Sequence, residues 1–161
     1  MRFLRYLILF ALVAFGVWPY YHLYRLDVAL GSSDPRALEQ LVDIPAIRRN
    51  YKERLEDNLD FRSRPSLAAD NALTWLQQNL QHRGDAALGQ AITLEWVRDT
   101  LQQATTRATD RRSPYLMAAI DFAFFESYDR FLVRLGELGK DATHIRMTLQ
   151  DKTWQVTNII R

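Results

Sequence analysis

Between Arg5 and Arg25 the chain carries no charge, and Tyr6 to Tyr24 is a run of 19 uncharged residues. As a helix rising about 1.5 Å per residue it would span roughly 28 Å, close to the thickness of a bilayer's hydrocarbon core. Apolar side chains occupy every face from Tyr6 to Trp18, which an ordinary amphipathic helix of a small soluble domain does not do. Pro19 and His22 weaken the far end. Two readings fit, a cleaved signal peptide with Ala14-Phe15-Gly16 as its small-x-small site, and an uncleaved anchor. Trp18, Tyr20, Tyr21 and Tyr24 favour the anchor, because amphipathic rings settle in the headgroup layer. Residues 1–18 are thus expected to form a transmembrane signal anchor, and residues 19–161 one domain. Arg2 and Arg5 precede the span and keep that side in the cytoplasm by the positive-inside rule. The domain then lies outside, in the periplasm of a Gram-negative bacterium, held at the inner membrane or secreted after cleavage.

Composition narrows what that domain can be. The chain has 161 residues, 48% of them hydrophobic and 25% charged, a globular balance sized for one domain and far from a disordered or multi-span protein. With no cysteine it has no disulfide framework, no thiolate metal site and no cysteine nucleophile. The pI of about 9.0 suggests nucleic acid at first sight. Yet the net charge is +2, which Arg2 and Arg5 account for, so the exported part is neutral. Arg62-Ser63-Arg64 and Arg111-Arg112 are isolated basic pairs rather than a stripe, and no nucleic-acid partner is expected. Lipid headgroups suit any arginine near the membrane better.

Hydrophobic spacing divides the rest into helices first and strands last. Pro19 to Leu30 reads as a separate helix leaving the membrane, with Gly31 as its cap. Asp34-Pro35 starts a short helix to about Val42, with Asp34 at the N-cap and Pro35 at N1. Asp43 caps the next, where Ile47, Tyr51, Leu55 and Leu59 recur at helical spacing, before a charged loop from Asp60 to Pro65. Leu67 to Leu80 is another amphipathic helix, bearing Leu73, Leu76, Leu80 and Trp75. Thr93 caps a helix from Leu94 to about Ala104, with Leu94, Val97 and Leu101 inward, and Thr105 to Pro114 reads as a polar linker. After Pro114 the period becomes two. Ile120, Phe122, Phe124; Phe131, Val133, Leu135; Ile145, Met147, Leu149; and Trp154, Val156 each alternate with other residues. Short turns separate these runs, which predicts a three- or four-stranded antiparallel meander packed on the helices, an α+β domain.

The stretch Pro19-Tyr20-Tyr21-His22-Leu23-Tyr24, then Ala29-Leu30 and LEQLVDIPAIR (Leu38 to Arg48), has a recognisable shape. So do FESYDRFLVRL and TLQDKTWQVTNIIR near the end. Together they resemble the bacterial family catalogued as domain of unknown function 2939, whose members have one N-terminal hydrophobic segment. AITLEWVRDTL (Ala91 to Leu101) is similar to that family's central helix start, but has Leu94 for its proline and Trp96 for its glycine. The resemblance implies location and fold and brings no active site with it. The order of elements is also similar to cystatin-like and nuclear-transport-factor-like cones, an analogy of architecture alone.

No motif for chemistry stands out. His22, His82 and His144 lie far apart, without metal-ligand spacing. Nucleophile elbows and phosphate-cradling glycine loops are missing. No cofactor or metal is therefore expected. Glu53, Glu56, Asp57 and Asp60 share a helix with Arg48, Arg49, Lys52 and Arg54, which reads as a solvated, salt-bridged face. Asp121 and Glu126 stand among aromatic residues but point outward by alternation. Phe122, Phe124, Phe125, Tyr128, Phe131 and Trp154 form the densest unusual feature. Such a set is core in most proteins, or else a pocket for an apolar ligand. Phe124 and Phe125 are adjacent and cannot both face one side of a regular strand. Three functions follow in order: an anchored extracytoplasmic binding or interaction module, with an envelope protein as partner; a carrier of an apolar small molecule; and, last, an enzyme using Asp121 or Glu126 with His144.

Overall fold

The computed structural model describes residues 2–32, 34–62, 86–139 and 141–160. The expected helix from Leu67 to Leu80 and His82 lie outside them. The chain opens with one long helix, α1 (Arg2–Gly31), followed by α2 (Pro35–Glu39) and α3 (Ile44–Arg62). After a helical stretch at 86–91 come α4 (Leu94–Ala108) and a 3-10 turn at Leu116–Ala119. Four strands finish the chain: β1 (Ile120–Ser127), β2 (Arg130–Leu135), β3 (Thr143–Gln150) and β4 (Thr153–Ile160). They pair antiparallel in the order β1-β2-β3-β4. The architecture is the α+β class that the change of period predicts.

Local chemistry explains most boundaries. Asp34 accepts the Arg36 N–H at 2.9 Å with Pro35 at N1, and Thr93 accepts the Trp96 N–H at 3.1 Å. Asp43 caps α3 by accepting the Ala46 N–H at 2.9 Å. Each cap satisfies an amide that the first helical turn leaves free. At the β3–β4 turn Asp151 and Lys152 both take positive φ (45° and 66°). That matches the two-residue turn whose twist suits a hairpin.

Four boundaries depart from expectation. Pro19 neither ends α1 nor separates two helices; it lies inside one 30-residue helix, where its missing N–H leaves the Phe15 carbonyl without its usual partner. The short second helix stops at Glu39 because the next residues leave to pair with a strand: Val42 bridges Val156, with bonds of 2.9 Å from Asp43 N–H and 2.8 Å to Leu41 O. Helices α3 and α4 run further than expected. They take in Asp60 to Arg62 and Thr105 to Ala108, because polar residues lengthen a helix without breaking its hydrogen bonds. Thr105 itself is buried and donates its hydroxyl to the Leu101 carbonyl at 2.9 Å.

The sheet buries one face. Phe131, Val133, Leu135, Ile145, Met147, Trp154 and Val156 are all buried, while their neighbours in β2 and β3 are partly or fully exposed. Against them pack Leu23 and Leu26 of α1, Leu38 of α2, Leu41, Ile47 of α3, and Val97 and Leu101 of α4. The β4 edge is closed by the Val42 bridge and by α3, whose Asn50 side chain donates to Thr157 O at 2.9 Å. The opposite edge, β1, has irregular register at both ends, a common device for discouraging stray strand pairing.

Candidate functional site

Helix α1 has two halves of opposite character. From Phe3 to Ala14 every residue is exposed, including Phe3 at 80% and Phe10 at 75%. From Pro19 onward one face disappears into the domain: Pro19, His22, Leu23, Leu26, Ala29 and Leu30 are buried. The spacing of three and four puts them on one side of a 3.6-residue helix. Two long-range bonds fasten this half. The Asp27 carboxylate accepts the Leu116 N–H at 2.7 Å, and the Gln102 side chain donates to Leu30 O at 3.1 Å. Phe3–Gly31 is a single helix long and apolar enough to cross a membrane.

Arg5 is exposed; Arg2 is the first residue of α1. Trp18, Tyr20, Tyr21 and Tyr24 are between 38% and 57% exposed. They stand at the level where the domain begins, and do not encircle a free helix. Tyr20 meets the buried Phe131 edge-on, with ring centroids 5.1 Å apart. His22 is buried, and its Nδ1 lies 3.1 Å from Trp18 O.

The aromatic set divides between the two faces of the sheet. Phe131 and Trp154 are fully buried, and Phe125 joins them at centroid distances of 5.0 and 5.9 Å. Phe15 of α1 stacks on Phe125 at 5.7 Å, so the cluster ties the sheet to the apolar half of the helix. Phe122 and Phe124 point to the other face, 50% and 39% exposed, with their rings 5.3 Å apart. Tyr128 sits at the β1–β2 turn, 78% exposed. The adjacent pair Phe124 and Phe125 therefore separates by strand alternation.

The carboxylates on the exposed face are ion-paired. Asp121 accepts from the Nε and Nη2 atoms of Arg134, and Glu126 takes two bonds from Arg146 at 2.7 and 3.0 Å. His144 stands in register with Arg134. Among the described residues no three His, Cys, Asp or Glu side chains converge as a metal site would require. A polar cleft of about 980 Å³ opens where the end of α4 meets the β2–β3 loop, lined in part by Gln102, Thr106, Arg111 and Asp141. None of the aromatic set lines it.

Two arginines of α3 do more than face solvent, the role that the charge pattern alone suggests. Arg48 donates from Nη2 to Gly89 O and Ile92 O, both at 2.8 Å. Arg54 donates from Nη2 to Asn158 Oδ1 and Ile159 O, both at 3.0 Å. Their carbonyl partners lie more than 40 residues away, beyond the reach of local spacing. The stripe expected on α3 also fades: Ile47 is fully buried, but Leu55 is 51% exposed.

A family model described as a protein of unknown function (DUF2939) matches residues 8–100. The match takes in most of α1, then α2 and α3, and ends midway along α4; the sheet, with the C-terminal part of the resemblance, lies beyond it. No curated protein and no solved structure matches the chain.

Proposed function

We propose, from the premise that this chain belongs to the DUF2939 family of uncharacterised proteins, that it is a membrane-anchored binding or interaction module. Its domain is held outside the cytoplasm, in the periplasm. The observation that carries the reading is the divided α1. Its first half is apolar and exposed on every side, which water disfavours at about 25 cal/mol per Å², and its second half is an integral wall of the domain core. A lipid bilayer is the environment that suits the first half while the second stays folded. Arg2 and Arg5 ahead of the span support the outward orientation of the domain.

Weighing against a carrier of apolar ligands is the packing between helices and sheet, where Phe131 and Trp154 are fully buried among aliphatic side chains. Weighing against an acid–base enzyme are the ion pairs that hold Asp121 and Glu126. Two measurements test the proposal. A reporter enzyme that folds only after export, fused behind Arg161, is expected to be active; activity only from a cytoplasm-specific reporter would reverse the topology. The intact mass of the membrane-bound protein is expected to include the apolar segment. A mass lacking the residues up to Gly16 would replace the anchor by a cleaved signal peptide.

A further inference from the structure

The domain begins too early along α1 for the helix to cross a bilayer clear of it. Arg5 bounds the apolar stretch on one side, and Phe15 is already in ring contact with β1 on the other. Between them lie Tyr6 to Ala14, nine residues, which rise only about 14 Å where a hydrocarbon core needs roughly 30 Å. Tilting the helix shortens its projected span further, so the usual remedy for an overlong segment does not apply. Residues from Phe15 toward Tyr24 must therefore lie at or near membrane depth, although one side of them carries the domain.

The part of the domain brought to that level is identifiable. Helix α1 and strand β1 run in opposite directions: Asp27 binds the Leu116 amide just before β1, and Phe15 stacks on Phe125 near its end. The β1–β2 turn consequently continues from Phe125 toward the N-terminal, lipid-compatible half of α1. That turn carries Tyr128, 78% exposed, with Phe124 and Phe122 behind it on the outer face. Arg130, also exposed, is next to it. The nearby carboxylates of Asp121 and Glu126 are already paired with Arg134 and Arg146. Asp129, between Tyr128 and Arg130, accepts the Ser127 hydroxyl at 2.6 Å. Exposed aromatic rings suit lipid, and an arginine beside them snorkels toward anionic headgroups.

We propose that the β1–β2 hairpin is a second membrane contact, with Tyr128 entering the bilayer beside the α1 helix that crosses it. The contact rests on the anchor reading above. It fixes the domain against the membrane with its β2–β3 end, at Gly136 to Asp141, pointing away.

The absence of cysteine permits single-site labelling of the full-length protein. Val13→Cys, Tyr128→Cys and Leu138→Cys each replace an exposed side chain. Each variant is spin-labelled and reconstituted into vesicles of phosphatidylethanolamine and phosphatidylglycerol. Relaxation by oxygen, which concentrates in lipid, is compared with relaxation by a water-soluble nickel chelate. The ratio is expected to be highest at position 13, several-fold above the aqueous value at position 128, and aqueous at position 138. A lipid value at 13 with equal aqueous values at 128 and 138 overturns the hairpin contact and leaves the anchor standing. An aqueous value at 13 overturns both.

Discussion

Replacing Leu26 by alanine tests whether the far half of α1 is structural or merely a stalk. Leu26 is fully buried, with Leu23 and Leu30 on the same face of the helix. A buried leucine truncated to alanine costs about 3 kcal/mol, within a range of roughly 2–5 kcal/mol set by how far the neighbours relax. Leu26 belongs to one packed cluster with the sheet and the other helices, which leaves little freedom to close the void. A loss of about 3 kcal/mol lowers the folding equilibrium constant on the order of 150-fold. For a domain of this size it lowers Tm by about 10 °C. Leu12→Ala is the matched control, because Leu12 is 65% exposed on the free half of the same helix; its effect should stay within about 0.5 kcal/mol. The assay is thermal and urea unfolding of the full chain in detergent, followed by near-UV circular dichroism of the packed aromatic side chains. If Leu26→Ala shifted the transition no more than Leu12→Ala, the claim that α1 is part of the core would be wrong.

Two further substitutions probe the other supports. Arg54→Ala removes the donor to Asn158 Oδ1 and Ile159 O, leaving Asn158 buried at 4% exposure with a lost partner. It should cost about 1–3 kcal/mol in urea unfolding, and Arg54→Lys should recover only part, since an ammonium cannot reproduce the planar fork. Gly136 sits at φ +80°, and a methyl group added there would stand 3.3 Å from Ala108 Cβ. Gly136→Ala should therefore cost on the order of 1–2 kcal/mol by the same measurement, and an unchanged midpoint would refute the close approach of α4 to this loop.

The strands are legible in the sequence because burial on one face imposes a period of two. Phe131, Val133 and Leu135 lie inward and their neighbours outward, as that pattern requires. Asp34, Asp43 and Thr93 are legible as caps because a side-chain oxygen beside free amides is a local arrangement. The union of the span with the domain is not legible. Pro19 is a local signal for a break, yet the helix continues across it and its far half packs into the core through Leu23 and Leu26. Arg48 and Arg54 escape for the same reason, since spacing on α3 offers nearby acids and their bonds go to distant carbonyls. Proximity along the chain gathers most of the aromatic set, but its division between faces needs the strand register.

The fastening of α1 also bears on how the protein is made. Leu23 and Leu26 are among the first core residues to be synthesised, and their partners Phe131 and Trp154 are among the last. At a ribosomal rate of about 5–20 residues per second, the leucines wait roughly 6–26 s before Trp154 is available. Throughout that interval a greasy helix face stands uncovered beside the membrane. Biogenesis therefore favours a holding chaperone, or the bilayer surface itself, as a temporary shield until the final hairpin arrives.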